Sequence, residues 1–488
     1  MTKCVSTCKQ FPKDDCNAPR CRYIDGSQRQ YCRLSYKYKM LKPSCKITRK
    51  YKKGEAKAAA ENKIKQFLNR SERVIKTVCS NSGQCLAFGN KISEINSLFK
   101  GFTEFQYTKG VIRSLGKPSA NGFVKEITYE RNGYKSFAIL KSSRKSSADN
   151  LVYEYVVGTK FINRMIRRFP CFLETYGLYY YKTPDFWDRM QQLYPIQVKF
   201  LNELELQDKI DYARACQESK YAAILIQHID GAQTLSDYMR IKGFTDLKKY
   251  DLLYILFIIY HALSSISTEF THYDLHQGNV MVYEPVPGKF IQYQYHLTSH
   301  GRSPENPIIF YSPYIPKIID YGRSFFNNGN ANSDKVYHAV CNTPECPKCG
   351  EKKGFGWLDP QDETFLTCSV KNESYDLRLL FITYMTLTTS NGSKPGNETY
   401  KKLISILKRV KFGMGIRDIT KKGVGTKENL QLVSKGNWIY NVGAAFTNLK
   451  EAVLDPNIIN ENEMRYSNNA DQIGILHIYD DGRPMRFE

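Results

Sequence analysis

No run in this 488-residue sequence is long and apolar enough to cross a membrane: the most hydrophobic window, 252–266, falls well short of the roughly 20 residues that a span needs. The start, MTKCVSTCKQFPKDDC, has no apolar stretch either, which argues against a secretory signal. Both absences lead to the expectation of a soluble, intracellular chain. Acid is also in short supply, with 48 Asp and Glu against 71 Lys and Arg, a formal net charge of +23. That balance favours anionic partners and says nothing of fold. It leaves nucleic acid open as a partner, although no nucleic-acid motif accompanies it. Apolar residues make up 42% of the chain, enough for a folded core.

Residues 1–53 hold too little apolar content to build a core unless something cross-links them, and read as a basic module with Cys4, Cys8, Cys16, Cys21, Cys32 and Cys45. Fourteen cysteines is many for a cytosolic enzyme. Such clusters read as metal sites or free thiols in a reducing compartment and as disulfides in an oxidised particle. From 54 to 108 the pattern is helical, with an Ala-rich segment whose Ile64, Phe67, Leu68, Val74 and Ile75 approximate one face, and a second helix at 91–99. Residues 109–230 begin with strand-like runs at 109–115, 123–129 and 135–141, separated by turn formers. A helix at 149–168, the strand FLETYGLYYY, a polar helical stretch over 184–220 and the strand AAILIQHI follow. Residues 231–488 read as mainly helical, with 390–488 only weakly patterned. Strands first and helices after predict a two-lobed α+β architecture.

The strongest signal is THYDLHQGNV at 271–280, followed by PKIIDYGRS at 316–324. Together they resemble the catalytic and metal-binding loops of protein kinases, H-R-D-L-x-x-x-N and D-F-G. At one residue in twenty per fixed position, His272, Asp274, Leu275 and Asn279 would recur by chance in about 0.3% of chains this long. In that chemistry a carboxylate meets the attacking hydroxyl while an amide and a second carboxylate hold Mg²⁺ against the phosphates of ATP. The resemblance implies these roles for Asp274, Asn279 and Asp320.

The preceding half supplies further parts. SFAILKSS resembles the strand V-A-I-K, making Lys141 the amine that grips ATP phosphates. Glu154, in NLVYEYVVG, is its expected acidic partner, with Glu174 the substitute. GKPSANGFV resembles a glycine-rich phosphate loop, assigning Gly116, Gly122 and Val124 to the nucleotide, with the glycine spacing one residue too long. ILIQHIDG resembles the hinge whose backbone reads adenine, at Gln227 and Ile229. Asp376, in ESYDLRLL, resembles the buried aspartate that anchors the catalytic loop.

The kinase resemblance covers about residues 109–390. YCRLSYKYKM, CSNSGQCLAFGNKI, YGRSFF and ILHIYDDGRPM carry a narrower resemblance to the serine/threonine kinases of large nucleocytoplasmic DNA viruses. It implies host cytoplasm or virion as location, an unidentified protein substrate and other virion proteins as partners. The sequence departs from the pattern in three places. Tyr273 stands where the arginine before the catalytic aspartate is expected. His276 stands where protein kinases carry a lysine, as in small-molecule phosphotransferases. No A-P-E closes the activation segment, which instead offers His338, Cys341, Cys346 and Cys349, with Cys368 as an alternative, for one tetrahedral Zn²⁺. Free thiols or disulfides are the alternatives. The expected function is Mg·ATP-dependent phosphorylation of Ser or Thr on a protein; the alternatives are a small-molecule phosphotransferase, and a pseudokinase or virion structural scaffold.

Overall fold

The computed structural model describes residues 21–26, 29–34, 87–116, 122–144, 151–212, 219–298, 306–341, 356–359, 364–367, 371–390, 392–412 and 437–488. The chain divides into two compact units, Met1–Arg70 and Ser71–Glu488. In the first, the described residues form one antiparallel hairpin, Cys21–Gly26 with Arg29–Leu34, setting Tyr23 opposite Cys32. Cys16 and the helical segment expected from 54 lie outside the described residues.

The second unit is a mixed α/β structure. Its described residues include helix α1 (Ile92–Leu98) and a seven-stranded sheet of β1 (Thr108–Ser114), β2 (Gly122–Arg131), β3 (Tyr134–Ser143), β4 (Thr175–Tyr181), β5 (Ile196–Gln197), β6 (Leu204–Leu206) and β7 (Ala222–His228). The spatial order is β5-β1-β2-β3-β7-β4-β6, and every pairing is antiparallel. β3 is central: Lys141 lies opposite Val124 on one neighbour and Ile224 on the other. A one-residue slip would turn its amine to the wrong face, so pairing on both sides fixes the side chain's direction. Successive residues of β4 serve opposite faces, Tyr179 and Tyr181 packing with Phe186 and Leu140 while Leu178 and Tyr180 enter the larger core.

Helix α2 (Leu151–Val157) continues through a wider turn at Gly158–Ile162 into Asn163–Met165. It crosses the sheet closely at Gly158, where an added Cβ would collide with the Thr175 side chain. Just beyond, the Asn163 amide pairs with both the N–H and the C=O of Thr175, imitating a strand partner. These contacts set the height at which the helix presents Glu154.

The polar helix expected over 184–220 is a correction. Among the described residues only α3 (Pro184–Gln191) is helical at length, capped by Thr183, and the chain then runs through β5, a 3₁₀ segment at Val198–Glu203 and β6. Pairing to the sheet overrides the local polar pattern there. Beyond Gly231 helices outweigh strands among the described residues, and the addition to the mainly helical reading is a sheet. The helices α4 (Leu235–Arg240), α5 (Leu252–Ser265), α6 (Arg378–Thr389), α7 (Glu398–Leu407), α8 (Val442–Val453) and α9 (Pro456–Arg465) are joined by a second sheet. Its strands β8 (Phe290–His296), β9 (Ile308–Ser312), β10 (Gln472–Tyr479) and β11 (Arg486–Phe487) run β9-β8-β10-β11, the β8–β10 pair being parallel. Tyr293, Tyr295 and Phe310 from this sheet stack with one another and with α5. α5 is buried on all sides from Leu252 to Leu263, so it lacks the apolar stripe of a surface helix. Among the described residues no helix is long and apolar enough to cross a membrane.

Gly158→Ala is expected to cost about 1–3 kcal/mol, the range for overpacking a filled contact. Urea denaturation of the full chain would measure it, with Thr175→Ala in the same chain recovering most of the loss; no loss, or no recovery, would refute the close approach as the cause.

Candidate functional site

Three elements remote in sequence meet at the Lys141 amine. Nζ donates to Glu154 Oε2 at 2.7 Å and to Asp320 Oδ1 at 2.9 Å. The Glu154 side chain is 2% exposed, those of Lys141 and Asp320 19% and 33%, so the cluster opens to solvent on the aspartate side. Desolvation acts to raise the Asp320 pKa, but the Lys141 ammonium, by charge and by hydrogen bond, outweighs it and holds the carboxyl below its ordinary range. Next to Glu154, the Tyr153 hydroxyl donates to the Ser324 carbonyl at 2.6 Å, tying α2 to the segment that follows Asp320.

The loop carrying Asp274 is held from beneath by Asp376. One of its carboxylate oxygens accepts the His272 N–H at 2.8 Å and the other the Tyr273 N–H at 3.0 Å, while Tyr260 of α5 donates to its carbonyl at 2.7 Å. Burial pushes the Asp376 carboxyl up to about 7, with the two N–H bonds opposing that rise. His272 is fully buried and links two loops: Nδ1 accepts from the Asp274 N–H, and Nε2 lies 2.9 Å from the Ile319 carbonyl. Those partners require the neutral Nε2–H tautomer, in keeping with a pKa lowered by burial. Asn279 donates through Nδ2 to the Asp274 carbonyl at 2.9 Å, and its own carbonyl accepts the Ile319 N–H at 3.0 Å. Tyr273 and Asp320, neither a glycine, adopt φ of +64° and +69°. Such strain persists only where surrounding contacts over-determine it, and it gathers at functional sites.

Asp274 Oδ1 accepts from Arg378 Nη1 at 2.7 Å, with His276 Nε2 at 3.8 Å from the same oxygen. Sequence reading missed Arg378, since nothing in its spacing shows that the residue two beyond Asp376 returns to a carboxylate 104 positions earlier. His276 turns into its own loop, accepting the Gly278 N–H at Nδ1.

The other candidates are more dispersed. Gly116 has φ +69° and an open surround, while 117–121 lie outside the described residues. At Gly122 an added Cβ would strike the Ser142 carbonyl, so sheet packing alone accounts for that glycine. Val124 sits opposite Lys141. Gln227 donates its N–H to the Glu174 carbonyl and accepts the Glu174 N–H on its side chain; Ile229 begins the turn leaving the sheet, its carbonyl accepting from Ala232. Glu174 itself turns to Asn96 of α1 at 2.7 Å, away from Lys141, and burial raises its carboxyl to about 7. His338 and Cys341 fall in the helix Ser333–Cys341, and Cys346, Cys349 and Cys368 lie outside the described residues. A further group that could hold a cation, unforeseen from sequence, is Glu126, His228 and Asp230, whose ligand atoms lie within 4.8 Å of one another. A hydrogen bond from His228 holds Glu126 low.

No protein-family model matches the chain, and no curated protein matches it. Among solved structures it is similar to the kinase domain of PknI from Mycobacterium tuberculosis, with a TM-score of 0.32 and 11% sequence identity, over 71% of this chain and 97% of that one.

Asp376→Ala would leave two buried N–H groups without acceptors, at about 1–3 kcal/mol each. Denaturant titration should show a destabilisation on the order of 2–6 kcal/mol; a loss below about 1 kcal/mol would mean that the loop finds its order elsewhere.

Proposed function

We propose that the chain is a phosphotransferase of protein-kinase-like fold that uses Mg·ATP and passes the γ-phosphate to a serine or threonine hydroxyl of a protein. The observation that carries this reading is the Lys141 amine held between Glu154 and Asp320, with the Asp274 loop beside it. An amine fixed by one buried carboxylate presents its remaining charge to phosphate oxygens. Asp320 and Asn279 offer a carboxylate and an amide oxygen, the hard donors that Mg²⁺ takes, and the Asn279 Nδ2 bond to the Asp274 carbonyl leaves Oδ1 as the amide's donor atom. Held by those two residues, Mg²⁺ would supply charge neutralisation for the phosphates.

In the reaction the acceptor hydroxyl oxygen forms a bond to the γ-phosphorus while the bond from that phosphorus to the β–γ bridging oxygen breaks. The hydroxyl proton passes to Asp274, and ADP leaves with the electron pair. Asp274 Oδ2 accepts no hydrogen bond from the described residues, so the oxygen facing the acceptor is the one not engaged by Arg378. Positioning and fixed charge do most of the work in such a transfer, which is why the geometry of this cluster matters more than the pKa of any one member.

With γ-labelled ATP, Mg²⁺ and protein acceptors, the wild-type chain is expected to label Ser or Thr, with Asp320→Asn and Asp274→Ala each lowering the rate by about 100-fold or more. Mg·ATP at 100 times its Kd should stabilise the wild type by about 2.7 kcal/mol. Equal labelling by wild type and Asp274→Ala, or no stabilisation by Mg·ATP, would overturn the reading. Transfer to metabolites but not to proteins would replace the acceptor class.

A further inference from the structure

The loop 271–280 contains no lysine or arginine, and its two histidines are spoken for: His272 bridges to Ile319, and His276 bonds its own loop at Gly278. Both imidazoles are thus occupied by backbone partners. A phosphoryl group arriving there gathers negative charge on its equatorial oxygens, next to a carboxylate that repels it. Among the described residues, the permanent cation within ion-pair distance of Asp274 comes from another element: Arg378, first residue of α6, with Nη1 2.7 Å from Oδ1.

Arg378 is badly placed for its own helix. A cation at a helix N-terminus opposes the macrodipole, and the first turn of α6 holds no acid to compensate. It is well placed for the loop, because the 3₁₀ turn Tyr375–Leu377 that leads into α6 contains Asp376, whose carboxylate grips the backbone just ahead of Asp274. One rigid turn therefore sets both the loop's path and the position of the guanidinium relative to Asp274. The side chain is 26% exposed and Asp274 23%, so the pair lies at the mouth of the site and not within the core.

We propose that Arg378 is the cation that receives the transferred phosphate: its planar fork spans Asp274 and an equatorial oxygen of the γ-phosphate at once. The proposal rests on the phosphotransferase reading and adds a residue to it. A guanidinium suits this place because its several N–H donors lie in one plane and match phosphate geometry. It neither gives nor takes a proton; it offsets charge as the γ-phosphorus changes partners and holds Asp274 Oδ1 still, leaving Oδ2 towards the acceptor.

Calorimetric titration of the full chain with Mg·ADP and with a non-hydrolysable Mg·ATP analogue would test it, in wild type, Arg378→Ala and Arg378→Lys. The wild type is expected to prefer the triphosphate by about tenfold or more. Arg378→Ala should bind the diphosphate as the wild type does, lose the preference and turn over at least about 100-fold more slowly, with the KM for ATP rising in step with the lost preference. Arg378→Lys, which keeps the charge without the fork, should recover part of both. An Arg378→Ala protein that keeps the preference and the rate overturns the assignment and leaves the phosphotransferase reading standing. Equal loss of both nucleotides in Arg378→Ala and Arg378→Lys would make Arg378 a structural residue and overturn it too. A wild type that binds neither nucleotide overturns both proposals together.

Discussion

The Lys141 ammonium, shared between Glu154 and Asp320 at 2.7 and 2.9 Å, is the contact that joins the sheet, helix α2 and the loop after the strand Ile315–Ile318 into one site. A carboxylate as enclosed as Glu154 is costly without a partner, and removing one member of such a pair leaves an uncompensated charge in a poorly solvated place. That cost forces order on three elements at once. β3 must keep its register so that Lys141 faces the helix. α2 must sit at the depth that Gly158 permits, and Asp320 must adopt a backbone conformation that a non-glycine residue otherwise avoids. Two carboxylates around one amine also leave the cluster net negative on its open side, a local charge that favours a further cation.

A second clamp works by a different force. Asp376 holds the Asp274 loop through two backbone N–H groups, and Tyr260 from the buried helix α5 holds Asp376 in turn. The neutral imidazole of His272 then couples that loop to the one bearing Asp320. The first clamp is ionic and partly open to solvent; the second is buried hydrogen bonding. Salt weakens the exposed part of the first and hardly touches the second, so the loops keep their shape while the charge at the mouth of the site responds to what binds there.

The site was legible in the sequence to the extent that its chemistry is local. His272, Asp274 and Asn279 lie within eight residues, and Lys141 and Asp320 each follow a short apolar run, FAIL and II, that can be read directly. Asp376 could be named because it follows a recognisable pattern, whereas Arg378 could not, since only the folded turn brings it back to Asp274. The second sheet was legible and overlooked: in FIQYQYH the buried Tyr293 and Tyr295 alternate with more exposed glutamines, a strand period inside a half read as helical. β5 and β6 were not legible, because such short strands are set by the neighbours they pair with and not by their own residues. Gly122 carries the opposite lesson, since a glycine read as a phosphate-loop residue is already required by the Ser142 carbonyl beside it.

Tyr273 bears on how the site is kept in order. Where the resemblance leads one to expect an arginine, this residue is 3% exposed, lies 5.4 Å ring to ring from Tyr375, and gives its N–H to Asp376. An arginine at this place would couple the loop to an added phosphate through charge; an aromatic ring couples it to the core through packing. The positive φ at Tyr273 is therefore held by burial and by the Asp376 hydrogen bond, neither of which depends on a charge that a modification could supply. Order in the Asp274 loop thus follows from folding α5 and the turn before α6. At the mouth of the site the partner of Asp274 Oδ1 is Arg378, from α6.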